Sequence, residues 1–265
     1  RFYQVVPEQG FAVNPDTVLK GLREDVGWTV VISPGNPGGE LRAASEREFL
    51  TESAERVGSG IIHDSVFETW GPPASAYQRF CTWPESVPVC RLGGLSKAFA
   101  APDVKLSWML LSGVSPSFTE RLEIALDSQL SVSALAEAAA LGLFADEPDL
   151  TDLHARVETN REMLKKAEDE LLPMRIRGAE AGIHFVGLLP HTVSIDDEAL
   201  AVELCRDMKI YCHPGYLYDF APGEALVFSL LSDAGDLEVG LSEAARLIAR
   251  WTQRRGHGRG PDQSR

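Results

Sequence analysis

Cysteine is scarce and scattered: Cys81, Cys90, Cys205 and Cys212 are the four in the chain, and no two of them form a CxxC pair. That spacing argues against a metal site of the zinc type and favours free thiols in a reducing compartment over a disulfide framework. Long apolar runs are missing too. Stretches such as Ala134 to Phe144 are broken by a charge, here Glu137, and fall well short of the roughly 20 residues a helix needs to cross a bilayer, so no membrane span is expected. The opening Arg1-Phe2-Tyr3-Gln4 has neither a basic n-region nor an apolar h-region, so no signal peptide is visible and a cytoplasmic location is expected. Positive charge is in deficit, at 25 Lys and Arg against 39 Asp and Glu, a net −14. Phosphate contacts require cations, which excludes general nucleic-acid binding. The exception is the run from Gln253 to Pro261, read as part of a disordered basic tail over 253–265.

What is present is an ordinary globular composition, 44% hydrophobic over 265 residues, long enough for one large or two modest domains. From Thr29 onward short β-branched runs alternate with helical patterns, the signature of a mostly parallel sheet covered by helices. Thr29 to Ile32, Gly60 to Asp64, Val87 to Leu92 and Leu106 to Leu111 read as strands. Ser45-Glu46-Arg47-Glu48 reads as a capping box that opens a helix with Phe49, Leu50, Ala54 and Val57 on one side. Further helices are expected over Thr119 to Ser128 and Val132 to Leu143. A connecting helix from Thr151 to Leu172 is expected to stop at Pro173. A second, smaller α+β unit follows a boundary near residue 147. It has strands at Ile183 to Leu189, Ile210 to His213 and Leu226 to Leu231, a helix near Glu198 to Met208, and a last helix aligning Leu237, Leu241, Ala244, Ile248 and Trp251.

Three segments bear chemistry in a fixed order. Ser33-Pro34-Gly35-Asn36-Pro37-Gly38-Gly39 is a turn directly after the first strand. Ile62-His63-Asp64-Ser65-Val66-Phe67 ends the next strand on a carboxylate, at the edge where open α/β sheets bind ligands. Leu92-Gly93-Gly94-Leu95-Ser96-Lys97-Ala98-Phe99 follows the third, with Lys105 eight residues beyond Lys97 and then Leu106-Ser107-Trp108. Taken singly, these are an ordinary loop, a strand-end cap and a surface lysine. Their order gives them weight.

In that order they resemble the class I/II aminotransferases of pyridoxal-phosphate (PLP) fold type I, whose motifs read N-P-x-N-P-[ST]-G, D-x-x-Y and G-x-S-K followed by an arginine. Arg121-Leu122-Glu123 with Leu130-Ser131-Val132-Ser133, and His213-Pro214-Gly215-Tyr216-Leu217-Tyr218-Asp219-Phe220, are similar to segments of one branch of that family. The resemblance implies a PLP-binding large domain over 1–146 that lacks its usual N-terminal part, and a small C-terminal domain over 147–252. It implies that Lys97 is the Schiff-base lysine and proton shuttle, and that Asp64 keeps the pyridine nitrogen protonated so that the ring acts as an electron sink. Asn36 would bond the ring oxygen, and Ser96 and Lys105 the phosphate. His63 is read as a packing residue behind Asp64.

Four departures qualify the pattern. Phe67 stands where many members have tyrosine, so a phenol contact is lost, and Lys105 replaces an arginine, keeping the charge but not the bidentate fork. The family's Gly-rich phosphate loop, stacking aromatic and N-terminal arm have no counterpart in this sequence. No arginine occurs between Arg206 and Arg246 to receive a substrate carboxylate, which leaves Lys209 or His213. The implied function is amino transfer between an amino acid and a 2-oxo acid in amino-acid biosynthesis, in a cytoplasmic homodimer. The alternatives are a β-lyase with the same constellation and a non-catalytic remnant or partner subunit.

Overall fold

The computed structural model describes residues 1–72, 83, 84, 86–130, 132–167, 169–190 and 195–256; Cys81, Ser131 and the end of the basic tail lie outside them. The chain folds into two compact units: Arg1–Leu150 with Glu180–Gly182, and Thr151–Ala179 with Ile183–Arg265.

The first unit opens with a small hairpin of β1 (Val5–Val6) and β2 (Ala12–Val13) and a helix, α1 (Pro15–Gly21), capped by the Asn14 side chain. A sheet follows, ordered β3-β4-β5-β6. Here β3 is Trp28–Ile32, α2 is Ala44–Val57, β4 is Gly60–Asp64, β5 is Val89–Gly94, α3 is Leu95–Ala98 and β6 is Ser107–Ser112. The strands β3, β4 and β5 run parallel, and β6 returns antiparallel to β5. Period-two alternation decides what is buried. Val31 and Ile61 face α2 and pack with Leu50, Ala54, Val87 and Val89, while Val30 and Ile32 on the opposite face are exposed. Helices α4 (Pro116–Gln129) and α5 (Ala134–Ala145) start at the serine caps Ser115 and Ser133, away from the expected positions.

The capping box of α2 forms differently from expectation. Ser45 lies inside the helix, and Glu46 reaches back to the N–H of Ala43, the N-cap, at 3.1 Å. Alanine has no side-chain acceptor, so only that half of the box exists. The other oxygen of Glu46 takes the N–H of Val13 at 2.7 Å, fastening the N-terminal hairpin to the helix.

The second unit is an antiparallel sheet ordered β7-β8-β10-β9, with α6 (Thr151–Ala167), β7 (Arg175–Arg177), β8 (His184–Leu188), α7 (Asp197–Met208), β9 (His213–Pro214), β10 (Ala225–Ser229) and α8 (Ala234–Gly256). Helix α6 ends at Ala167 rather than at Leu172, and β9 begins at His213, where the expected strand ended. The last helix buries Leu237, Leu241, Ala244 and Ile248 as the stripe predicts. Phe185 and Phe228 stack across β8 and β10 with centroids 5.3 Å apart. Asp197, 3% exposed, fixes the loop after β9 by accepting the N–H groups of Gly215 and Gly223, each at 3.0 Å. Asp197→Ala would orphan a buried donor at Gly215 and a half-buried one at Gly223, and urea unfolding should show a loss of about 3 kcal/mol. An unchanged midpoint would mean that the two amides find other acceptors.

Candidate functional site

Parallel strands bring their C-terminal ends to one edge: Ile32 and Asp64, the last residues of β3 and β4, lie side by side with Leu92 of β5, which runs two residues further to Gly94. The ladder runs on past the strands: Ser33 donates its N–H to the carbonyl of Asp64 at 3.0 Å, and Ser65 donates to that of Leu92 at 3.1 Å. Whatever follows each strand is therefore gathered at this edge. After β3 comes the loop with Asn36, after β4 the turn Ser65–Trp70, and after β5 the helix with Ser96 and Lys97.

Lys97 is half-buried, its Nζ lying 5.4 Å from the centre of the Phe67 ring, within cation–π range. Among the described residues it forms no ion pair. Its main chain is held as well, because the indole N–H of Trp70 donates to the carbonyl of Lys97 at 2.9 Å. The turn that brings Phe67 and Trp70 is braced by Arg91 of β5, which donates to the Ser65 hydroxyl at 3.0 Å and pairs with Glu68. Gly93 of β5 has no room for a larger residue, since a Cβ would lie 2.3 Å from the Trp108 ring.

Asp64 closes its strand in an Asx-turn, Oδ1 accepting the N–H of Val66 at 3.1 Å, which leaves Oδ2 outside the turn. Asn36 is exposed on a loop closed by Gly35 N–H to Glu40 carbonyl and Gly39 N–H to Gly35 carbonyl, both at 2.9 Å. Inside that loop lies the buried pair of Glu40 and Arg42, with Arg42 also donating to the Phe11 carbonyl at 2.8 Å. Burial raises the Glu40 carboxyl to about 7, the Arg42 charge pulling the other way. A strap, Glu180–Gly182, ties this loop to the turn after β4: Ala181 donates to the Gly39 carbonyl at 2.9 Å and Gly182 to the Trp70 carbonyl at 3.0 Å. At Gly39, φ is +69° and a Cβ would lie 2.0 Å from the Ala181 oxygen, so only glycine fits.

Asn36, Asp64, Phe67, Ser96 and Lys97 thus share one sheet edge. Lys105 stands on the exposed turn before β6 with φ +55°, a backbone conformation uncommon outside glycine, and lines a hollow of about 970 Å³ with Ser107, Trp108, Leu122 and Glu123. Lys97, Asp64 and Asn36 do not line that hollow, and the edge, where the reactive groups are, is the better candidate for chemistry. In the second unit both expected carboxylate partners have hydrogen bonds of their own. Lys209 donates to the Arg206 carbonyl at 2.8 Å, and the ring nitrogens of His213 are bonded to the hydroxyls of Tyr218 at 2.8 Å and Tyr211 at 3.0 Å. Sequence reasoning missed Trp70, Arg91 and the strap, whose partners are distant in sequence, and the Glu40–Arg42 pair, whose burial only the fold shows.

The profile of the family described as aminotransferase class I and II matches residues 1–229. The chain belongs to that family. A probable aminotransferase of Arabidopsis thaliana is 30% identical over 120 residues, 45% of this chain and 29% of that one. An S-alkyl-thiohydroximate lyase of the same plant is 23% identical over 239 residues, 85% of this chain and 50% of the relative. The alanine aminotransferase of Pyrococcus furiosus superposes with a TM-score of 0.80 at 17% identity, covering 94% of this chain and 64% of that one, a likeness of fold alone. This aminotransferase-family chain therefore spans half or less of those two curated relatives. The family is PLP-dependent, and the donor set at the edge fits that cofactor: an amine outside any ion pair, a carboxylate with an oxygen to spare, an exposed amide and the Ser96 hydroxyl.

His63 lies directly behind Asp64 with no exposed surface, its Nε2 3.1 Å from the Ser33 carbonyl, and Nδ1 buried without a partner. The carbonyl assigns the proton to Nε2; protonating Nδ1 as well would bury an unmatched donor. Burial, with the charges of Arg91 and Arg47, lowers its pKa to about 4 against the carbonyl's opposing pull. The ordinary value is 6.5, so the unfolded chain takes up this proton first, and the stability His63 contributes is present above 6.5 and lost as pH falls toward about 4. His63→Gln keeps a donor for Ser33 and removes the titration. Between those limits the wild type should lose about 3 kcal/mol relative to the variant in urea titrations, and parallel curves would show that His63 is solvated.

Proposed function

We propose that this chain is part of a PLP-dependent aminotransferase acting between an amino acid and a 2-oxo acid. The observation that carries the reading is Lys97, an amine without an ionic partner among the described residues, set at the same sheet edge as Asp64 and Asn36. When bound, the cofactor supplies an electron sink for the bond broken at the substrate Cα. Lys97 would hold the cofactor by its Nζ and would take the proton from the substrate Cα. Asp64 would keep a proton on the ring nitrogen, the Asn36 amide would donate to the ring oxygen, and Ser96 would meet the phosphate, with Lys105 adding a positive charge from the turn before β6. The reading includes a cytoplasmic homodimer serving biosynthesis. The exposed Ile124, Leu130, Leu135, Leu141 and Phe144 on and beside α4 and α5 give a partner copy an apolar face, and sedimentation of the purified chain tests it.

A lyase is the second reading, favoured by the relative of that chemistry that matches 85% of this chain. Products separate the two: a 2-oxo acid and an aminated cofactor for transfer, ammonia and pyruvate for elimination.

The site itself is tested covalently. Mixed with PLP, the Lys97 amine should condense with the aldehyde, releasing water, and hydride from borohydride then reduces the C=N bond to a stable secondary amine. Mass spectrometry of the digest should place the label on Lys97 ahead of Lys20, Lys165 and Lys166. An even spread would defeat the cofactor assignment and favour a non-catalytic subunit. Asp64→Asn should keep the label on Lys97 while lowering turnover of the complete, loaded enzyme at least tenfold, about 1.4 kcal/mol of barrier, because it removes the charge facing the ring nitrogen. Equal turnover would take Asp64 out of the mechanism.

A further inference from the structure

Helix α3 is a single turn of four residues, too short to hold its own shape, and it presents Lys97. Its local support falls mostly on Leu95, whose carbonyl accepts the N–H groups of Phe99 at 3.1 Å and Ala101 at 3.2 Å, while Ala100 reaches the Lys97 carbonyl only at 3.4 Å. Two bonds from outside fix its ends. At the start the Leu95 N–H donates to the Leu106 carbonyl at 3.0 Å, and at Lys97 itself the carbonyl accepts the Trp70 indole N–H at 2.9 Å.

Trp70 is well placed to hold something else still. It is 3% exposed, its own N–H donates to the Phe67 carbonyl at 3.0 Å, and its carbonyl accepts the Gly182 N–H at 3.0 Å. Arg91 anchors the same turn through Ser65 and Glu68. That turn also supplies Phe67, the ring beneath the Lys97 amine. A buried indole N–H requires an acceptor, and here it takes the main chain of the residue whose side chain is to react.

We infer that Trp70 is a positioning residue for Lys97: by holding the Lys97 carbonyl, its indole N–H sets the direction in which the amine leaves α3. The inference rests on Lys97 as the cofactor lysine, and it is tested so that each can fail by itself. The full chain is prepared as wild type, as Trp70→Phe, with 3-benzothienylalanine at position 70, where sulfur replaces the N–H in a ring of the same shape, and with 5-fluorotryptophan there, which keeps it. Each is labelled with PLP and borohydride. Each is also acetylated with acetic anhydride without cofactor, and the label on Lys97 is compared with that on Lys20, Lys165 and Lys166.

The first two replacements should reduce the Lys97 share about fivefold in both reactions, roughly 1 kcal/mol for one lost hydrogen bond, with surface lysines unchanged. The benzothienyl chain should melt only about 2–4 °C below the wild type, the cost of that one hydrogen bond, and 5-fluorotryptophan should keep the full share. A residue that merely filled space would lower the melting temperature in Trp70→Phe and leave the benzothienyl chain identical to wild type in both labels; that result overturns the inference. If wild-type Lys97 shows no preference for PLP, the cofactor reading falls, and the acetylation comparison still decides whether Trp70 orients the amine.

Discussion

The parallel register of β3, β4 and β5 is the constraint on which the rest depends. Because Ile32, Asp64 and Leu92 pair laterally, the loops after β3 and β4 emerge at one level and the helix after β5 starts just beyond it at Leu95, so each segment brings one reactive group to the same edge. A slip of one residue would turn Asp64 toward α2 and His63 toward the open face, since neighbouring side chains on a strand point to opposite sides. The slip is opposed by the burial of Val31, Ile61 and His63 on the inner face, and by the ladder bonds that Ser33 and Ser65 add beyond the strand ends.

Around this edge the molecule keeps charge out of solvent in two different ways. His63 is neutral in its pocket, with one nitrogen turned to Ser33 and the other unmatched, so it favours neutral solution over acid. Glu40 is buried beside Arg42 under the Asn36 loop, and its raised pKa has the opposite sign: the carboxyl favours acid, and its cost grows as pH rises from its ordinary 4.5 through about 7. Both groups touch segments that hold a candidate ligand residue without facing a ligand themselves. His63 meets the Ser33 carbonyl, and Arg42, the partner of Glu40, meets the Phe11 carbonyl and the Ser33 hydroxyl, which suits residues whose work is to keep loops in shape.

The strands with β-branched runs and the amphipathic α8 were legible because burial on one face imposes a period that one sequence can show. The site motifs were legible because Asn36, Asp64 and Lys97 each sit just beyond such a strand. What stayed hidden was made of contacts rather than periods. Strands of two residues, such as β1, β2 and β9, contain no full alternation. Ser45 matched a capping pattern that Glu46 and Ala43 in fact complete, as both readings contain the same letters a short step apart. Trp70 is one large aromatic among several in the sequence, and only the fold places its N–H against Lys97.

The strap has an evolutionary corollary. The chain leaves the first unit after Leu150, returns for Glu180–Gly182, and leaves again. Those three residues supply the donors for the carbonyls of Gly39 and Trp70, so the first unit is not encoded by one uninterrupted stretch. A recombination joint at residue 150 would strip both loops of an amide they rely on, although it falls between two compact bodies. Exchange of the second unit between relatives is tolerable only if the incoming segment brings its own version of the strap, including an amide donor opposite Gly39, a position closed to every side chain larger than hydrogen. Descent should therefore link residues 33–40 and 180–182 more tightly than their separation in the chain suggests.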